Sequence, residues 1–257
     1  MDAVTWRIDA FAGASIPLRG AYFGRLGGTS DAPRDSLNLG VRCGDDADAV
    51  RRNEEIVLAA MGTRALYLPD QVHGCDISIV DDAMHSGVVR GVAADAAIVT
   101  RPGVAVGVLT ADCVPILIGD VRGRAAAAVH AGWRGLDGGI IAETVKALSS
   151  LGVAPDDLRA SVGPGIGPCH FEVSPDLADR FRHEVAGGAD AVARAGVRDV
   201  IDLIHVAHRQ LVLAGLASFR VETIRRCTAC EPGVFFSHRR DMGVTGRQLS
   251  AIWIVGS

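Results

Sequence analysis

Short apolar runs broken by glycine, proline and aspartate recur along the chain. This spacing predicts strands over residues 66–68, 76–80, 96–99, 104–109, 114–118, 125–129, 158–162 and 251–255. Gly119-Asp120-Val121-Arg122-Gly123 reads as a hairpin turn joining two of them. A 3.6-residue periodicity replaces the strand pattern over residues 51–61, 135–151 and 202–214. Ile141, Val145 and Leu148 share one face of the second helix, and Gly152 is its expected stop. Ile204, Ala207 and Leu211 share a face of the third, with Asp202 as N-cap and Gly215 as stop. Several strand pairs leave no room for a crossover helix. The pattern therefore predicts an α/β or α+β sandwich with mixed sheets rather than a doubly wound parallel sheet.

There is no internal repeat and no low-complexity linker, so residues 1–257 are expected to form a single domain. Apolar residues make up 49% of the chain, enough for a sizeable core. With 26 basic and 30 acidic residues, the net charge of -4 argues against a general nucleic-acid binder. Asp2, Arg7 and Asp9 interrupt any signal-peptide core, and no run approaches the roughly 18 apolar residues needed to span a bilayer. A cytoplasmic protein with no membrane or nucleic-acid partner, monomeric or weakly homo-oligomeric, is expected. Six cysteines are too few for a disulfide scaffold of this length and leave thiols free for packing or metal chemistry.

Three segments carry reactive side chains at strand ends: Gln71-Val72-His73-Gly74, Thr110-Ala111-Asp112-Cys113 and His130-Ala131-Gly132-Trp133-Arg134-Gly135. A hairpin between Cys113 and His130 brings both to the same end of a sheet. One thiolate and two neutral imidazoles suit zinc, and three protein ligands leave a fourth position for water or substrate, as in catalytic sites. The competing reading makes each a core cysteine or a satisfied histidine. Glycines flank Trp133-Arg134 and fill residues 163–168, where backbone can approach a ligand. Arg239, Arg240 and Arg247 could hold a phosphate or carboxylate, or form a solvated turn. Cys227-x-x-Cys230 has the spacing of half a zinc knuckle; with no second cysteine pair, structural packing is the expected role.

Together these motifs resemble the YfiH family, also called the polyphenol oxidase or laccase-domain family, which includes FAMIN-type purine nucleoside phosphorylases. The resemblance runs from Arg25-Leu-Gly-Gly-Thr-Ser30, Ser36-Leu-Asn-Leu-Gly40 and Gly44-Asp-Asp46, through the three segments above, Asp95 and residues 163–173, to residues 237–241 and Thr245-Gly-Arg247. It implies a layered α/β sandwich with mixed sheets, related to putative cysteine hydrolases. It implies zinc on His73, Cys113 and His130; copper(II), which generally outcompetes zinc for such ligands, is an alternative occupant. The implied activity is phosphorolysis of adenosine, inosine and methylthioadenosine, with adenosine deamination as a side activity; the partners are a purine nucleoside and phosphate. Cys113, Asp112 and Arg134 are then the catalytic candidates, and Asn38, Arg239, Arg240 and Arg247 the substrate-binding ones. Asp112, Asp95 and Glu172 are each candidates for the acid that protonates the leaving base. Asp112 is alternatively a second-shell acceptor that orients a ligand histidine. His238 stands where the family often has tyrosine, and Cys43 and His170 sit at variable positions. Copper-dependent phenol oxidation, hydrolysis of a peptidoglycan-precursor amide with Cys113 as nucleophile and His130 as base, and a non-enzymatic metal-binding module are the rival functions.

Overall fold

The computed structural model describes residues 5–13, 16–80 and 86–256, so the first four residues of the N-terminal reading lie outside it. In chain order the first half contains β1 (Thr5–Arg7), β2 (Leu18–Phe23), α1 (Ala47–Met61), β3 (Ala65–Asp70), β4 (Ile77–Val80), β5 (Gly87–Ala93), β6 (Ala96–Val99), β7 (Val104–Thr110) and β8 (Val114–Asp120). The second half adds β9 (Ala126–Ala131), α2 (Trp133–Gly138), α3 (Ile140–Ser150), β10 (Leu158–Val162), β11 (Glu172–Val173), α4 (Pro175–His183), β12 (Val192–Ala195), β13 (Arg198–Ile201), α5 (Leu203–Leu213), β14 (Val221–Thr223) and β15 (Gln248–Ile254).

Two mixed six-stranded sheets carry the fold, in the orders β1-β2-β15-β7-β3-β5 and β14-β10-β8-β9-β6-β4; β11, β13 and β12 form a small third sheet. Side-chain alternation explains the layering. Leu117, Ala126 and Ala128 of the second sheet meet Leu18, Val106, Val108 and Ile252 of the first. On the other face of the second sheet, Ile116, Ile118 and Val129 pack on Leu136, Ile140, Ile141 and Leu211 of the helices. The outer face of the first sheet, with Phe23, Leu66, Leu68 and Ala251, is covered by Val57 and Met61 of α1. The result is helix, sheet, sheet, helix, the layered sandwich expected. Strands buried on both sides read as continuous apolar runs, which is why β6, β7, β8 and β10 were legible in the sequence.

The helix ends follow local chemistry. Helix α1 starts earlier than the periodicity predicts, because the Asp46 carboxylate accepts from the Asp48 and Ala49 amides and Gly62 closes the helix in the left-handed region. Asp202 caps α5 through the His205 amide, as expected. The helix expected over 135–151 is two helices. Gly139, at φ +84, ends α2 and turns the chain into α3.

Asp120, fully buried at the end of β8, accepts from the Arg122 amide and from the amide and Nε of Arg124, the last at 2.6 Å. Burial would raise its carboxyl, but Arg124 and the turn amides outweigh that and hold it below the usual range. Asp120→Asn is expected to lower stability by about 1–3 kcal/mol at neutral pH. Because the folded-state pKa is depressed, that contribution is complete above the unfolded value near ~4 and disappears as pH falls through the folded value. Urea unfolding of both proteins across the acid range should show the two stabilities converging.

Candidate metal centre

Strands β3, β5 and β7 run parallel in the first sheet, while β4 and β6 run parallel in the second. The chain therefore passes from first sheet to second three times at the same end of the sandwich, through residues 71–76, 94–95 and 111–113. These crossings bring His73, Asp95 and Cys113 together. Hairpin β8–β9 adds His130, because its register pairs Val114 with Ala131 and Pro115 with His130. The ligand atoms of His73, Cys113 and His130 lie within 4.8 Å of one another, and the two imidazoles meet edge to face at 4.8 Å between centroids.

Asp95, wholly buried, organises this end. Its carboxylate accepts from the amides of Val72, His73 and Gly74 at 3.1, 2.9 and 2.6 Å and faces His130 Nδ1 at 2.7 Å. Its carbonyl also accepts the His130 amide. Nδ1–H donation to Asp95 leaves Nε2 of His130 available to coordinate a metal ion. Gln71 pins the same loop by exchanging two hydrogen bonds with the Leu109 backbone. His73 is thereby held at φ +62, a conformation uncommon for a side-chain-bearing residue.

The electrostatics favour a thiolate at Cys113 but a protonated ring at His130, which gives up a proton when it coordinates a metal ion. Burial pushes the Cys113 thiol up, yet His130 and then His73 outweigh it and bring it down to about 6. Burial likewise disfavours a charged His130, while the Cys113 thiolate and Asp95 hold its pKa up, at about 9. Asp95 is pushed up by burial and pulled below its usual range by His130 and the Gly74 amide. The donor set fits a borderline-soft metal ion, and the backbone leaves room for one. A Cβ at Gly132 would stand 3.0 Å from Cys113 Sγ and 3.5 Å from His73 Cδ2. His130 is buried but His73 is exposed, so the cluster opens onto a cavity of about 680 Å³.

Arg134, Arg239 and Arg247 line that cavity, with Ile166, Phe171 and Leu203 among its apolar walls. Arg134 stacks on Trp133 at 4.3 Å. Arg239 donates to the carbonyls of His170 and Glu172, and Arg247 to those of Thr245 and Gly246. Among the described residues none of the three forms an ion pair with a carboxylate, whereas Arg42 on the same wall pairs with Asp70.

A family model described as multi-copper polyphenol oxidoreductase laccase matches residues 19–255. The chain belongs to this laccase-like YfiH family. It is 37% identical over 236 residues to the purine nucleoside phosphorylase YfiH of Escherichia coli strain K12, covering 90% of this chain and 91% of that one. It is 38% identical over 243 residues to a purine nucleoside phosphorylase of Pseudomonas aeruginosa, covering 94% and 95%. The crystal structure of YlmD from Geobacillus stearothermophilus superposes with a TM-score of 0.86 at 31% identity, over 97% of this chain and 94% of that one.

Within this laccase-like chain the other sequence candidates divide. Asp112 reaches the cavity wall at φ +92, but its carboxylate accepts from Thr228 Oγ1 and the Arg239 amide, each at 2.6 Å. It orients the Arg239 segment rather than a ligand histidine. The histidine's acceptor is Asp95, whose carboxylate is thereby committed. Glu172 pairs with Arg198 and is not part of the cavity wall. Asn38, a substrate-binding candidate by resemblance, is wholly buried and off the wall; it accepts the Gly40 and Arg247 amides and donates to Asp45, which positions Arg247. Arg240 also turns away, bound to Asp241 and to the carbonyls of Thr228 and Phe235. Among the described residues no helix is long and apolar enough to cross a membrane.

Proposed function

We propose that this chain is a zinc-dependent purine nucleoside phosphorylase, acting on adenosine, inosine and methylthioadenosine with adenosine deamination as a side activity. One observation carries the reading: three arginines that have no acidic partner among the described residues line the cavity onto which the His73–Cys113–His130 cluster opens. The names of the relatives are in keeping with it. Arg134, Arg239 and Arg247 would neutralise and orient phosphate, while Ile166, Phe171 and Leu203 offer apolar surface to a purine. A phosphate oxygen bonds to ribose C1′ as the bond from C1′ to the base breaks, and the base departs with that electron pair and takes up a proton. When bound, zinc supplies Lewis acidity, including the acidification of water that attack on the purine ring requires. Cys113 and the two histidines would hold the ion, Asp95 would fix His130, and Asp112 would place Arg239.

The test is incubation of zinc-loaded protein with inosine or adenosine, with and without phosphate, followed by chromatography. Phosphate-dependent release of free base is the expected result; intact nucleoside in every tube would remove the reading. Among the described residues Arg134 makes no ion pair, so its truncation isolates the anion site. Arg134→Ala should raise KM for phosphate by about 10- to 100-fold, the loss of one charge-assisted contact. An unchanged KM would take Arg134 out of the phosphate site.

A second reading has support of its own. Cys113, His130 and Asp95 also stand in the order nucleophile, base and orienting carboxylate, as in thiol hydrolases. Amide hydrolysis by the free thiolate should survive chelation and leave a trappable acyl-enzyme, whereas the phosphorylase should lose turnover on chelation and regain it with zinc. Copper-dependent phenol oxidation would show copper at stoichiometric level and a visible thiolate-to-copper band in active preparations.

A further inference from the structure

Off the cavity wall, Cys227-x-x-Cys230, expected to pack without a partner pair, has one in space. Cys169 and His170, 57 residues upstream of Cys227 in the case of His170, supply the missing half. His170 Nδ1 lies 3.3 Å from Cys169 Sγ, 3.4 Å from Cys230 Sγ and 3.8 Å from Cys227 Sγ, and the sulfurs of Cys169 and Cys230 are 3.5 Å apart. A tetrahedral zinc with Zn–S near 2.3 Å and Zn–N near 2.0–2.1 Å requires edges of about 3.5–3.8 Å between its ligand atoms. Four of the six edges, from His170 to the three sulfurs and from Cys169 to Cys230, thus already lie near those lengths, and all four ligand atoms lie within 4.8 Å of one another.

The surroundings match a thiolate site. The Gly167 amide donates to Cys227 Sγ at 3.2 Å, and a Cβ at Gly167 would stand 3.2 Å from Cys227 Cβ and 3.3 Å from Cys169 Sγ. Glycine there lets one loop close over the other. The two loops are also joined through backbone: Gly165 donates to Arg226 and Thr228 donates to Gly165. Among the described residues this is one of two clusters with metal-ligand chemistry, and it offers four ligands where the first offers three. Four ligands from two short loops characterise closed, structural zinc sites.

We propose that Cys169, His170, Cys227 and Cys230 bind a second zinc ion, structural in role, which clamps the 165–171 loop to the 226–231 loop. Binding exchanges three thiol protons for one dication, the imidazole coordinating in its neutral form. The clamp bears on the cavity directly. Ile166 and Phe171 belong to its wall, and Arg239 donates to the His170 carbonyl at 2.9 Å with its guanidinium 5.4 Å from the Phe171 ring. The proposal rests on this geometry alone and is independent of the reaction assigned to the cavity.

The experiment is zinc counting by mass spectrometry on reduced protein purified from zinc-supplemented cells without chelator. Wild type should carry two zinc ions per chain, Cys113→Ala one, and Cys227→Ser/Cys230→Ser one. Cobalt loaded into Cys113→Ala should give the strong near-ultraviolet thiolate charge transfer and intense visible bands of a tetrahedral three-sulfur site. That spectrum keeps the test valid if the double variant fails to fold. Zinc added to metal-stripped Cys113→Ala should also raise its melting temperature. Cys113→Ala that takes up neither zinc nor cobalt would overturn the proposal, whether the three cysteines of the cluster are then found as free thiols or with Cys169 and Cys230 joined in a disulfide. An unchanged zinc count in Cys227→Ser/Cys230→Ser would overturn it equally.

Discussion

Cys113→Ala is expected to abolish phosphorolysis, by about 1,000-fold or more (~4 kcal/mol of transition-state stabilisation), while leaving the chain folded. The Cys113 sulfur sits where the chain crosses between sheets, next to His73 and His130, and its side chain is only partly buried. Removing it leaves a small void open to the cavity, so the stability cost should stay near ~1 kcal/mol. The loss therefore falls on chemistry. Free-base release, metal content at this site and the urea midpoint measured on one preparation would separate the two effects. Residual turnover within tenfold of wild type, with the fold intact, would mean that Cys113 neither binds the functional ion nor acts as nucleophile.

Asp95→Asn should damage both function and fold. The carboxylate serves three consecutive amides and one imidazole, all donors. An asparagine offers one oxygen and turns an N–H₂ towards at least one donor, leaving it unmatched in a fully buried place. A loss of about 2–4 kcal/mol in stability is expected. His130 loses its orienting acceptor, which should weaken zinc binding by about 10- to 100-fold. Competition against a calibrated zinc chelator measures the second effect at a temperature where the variant is still folded. Wild-type zinc affinity in a folded variant would show that Asp95 serves the loop alone.

Much of this was legible in the sequence, for a physical reason. The central strands are buried on both faces and are written as unbroken apolar runs, and a hairpin of fixed length had to return His130 to the end where Cys113 lies. The edge strand β5 was not legible: it pairs along one side only and mixes glycine, valine and arginine over a largely exposed surface. The polar α4 and the small third sheet were missed for the same reason. Motif membership identifies a residue without its direction. Asn38 and Arg240 stand in the right stretches but face inward, whereas Arg239, next door, reaches the cavity. Asp95 could be picked out as reactive, but its four donors come from segments remote in sequence, so orienting and proton-donating roles could not be separated. Cys227 and Cys230 lacked partners only while sequence spacing stood in for distance.

The three crossings have a consequence for how this sandwich can vary. At one end the chain must change sheets through residues 71–76, 94–95 and 111–113 while delivering His73, Asp95 and Cys113 to one point, so those connections have no slack. At the opposite end the turn through Arg101, Pro102 and Gly103 joins β6 to β7 with its first two residues exposed and open space around Gly103. A change of length there is absorbed by solvent, while an added residue in 111–113 moves Cys113 away from both histidines. The fold thus has an end that can accept insertions and an end that cannot, and its reactive groups sit where the chain has least freedom to drift.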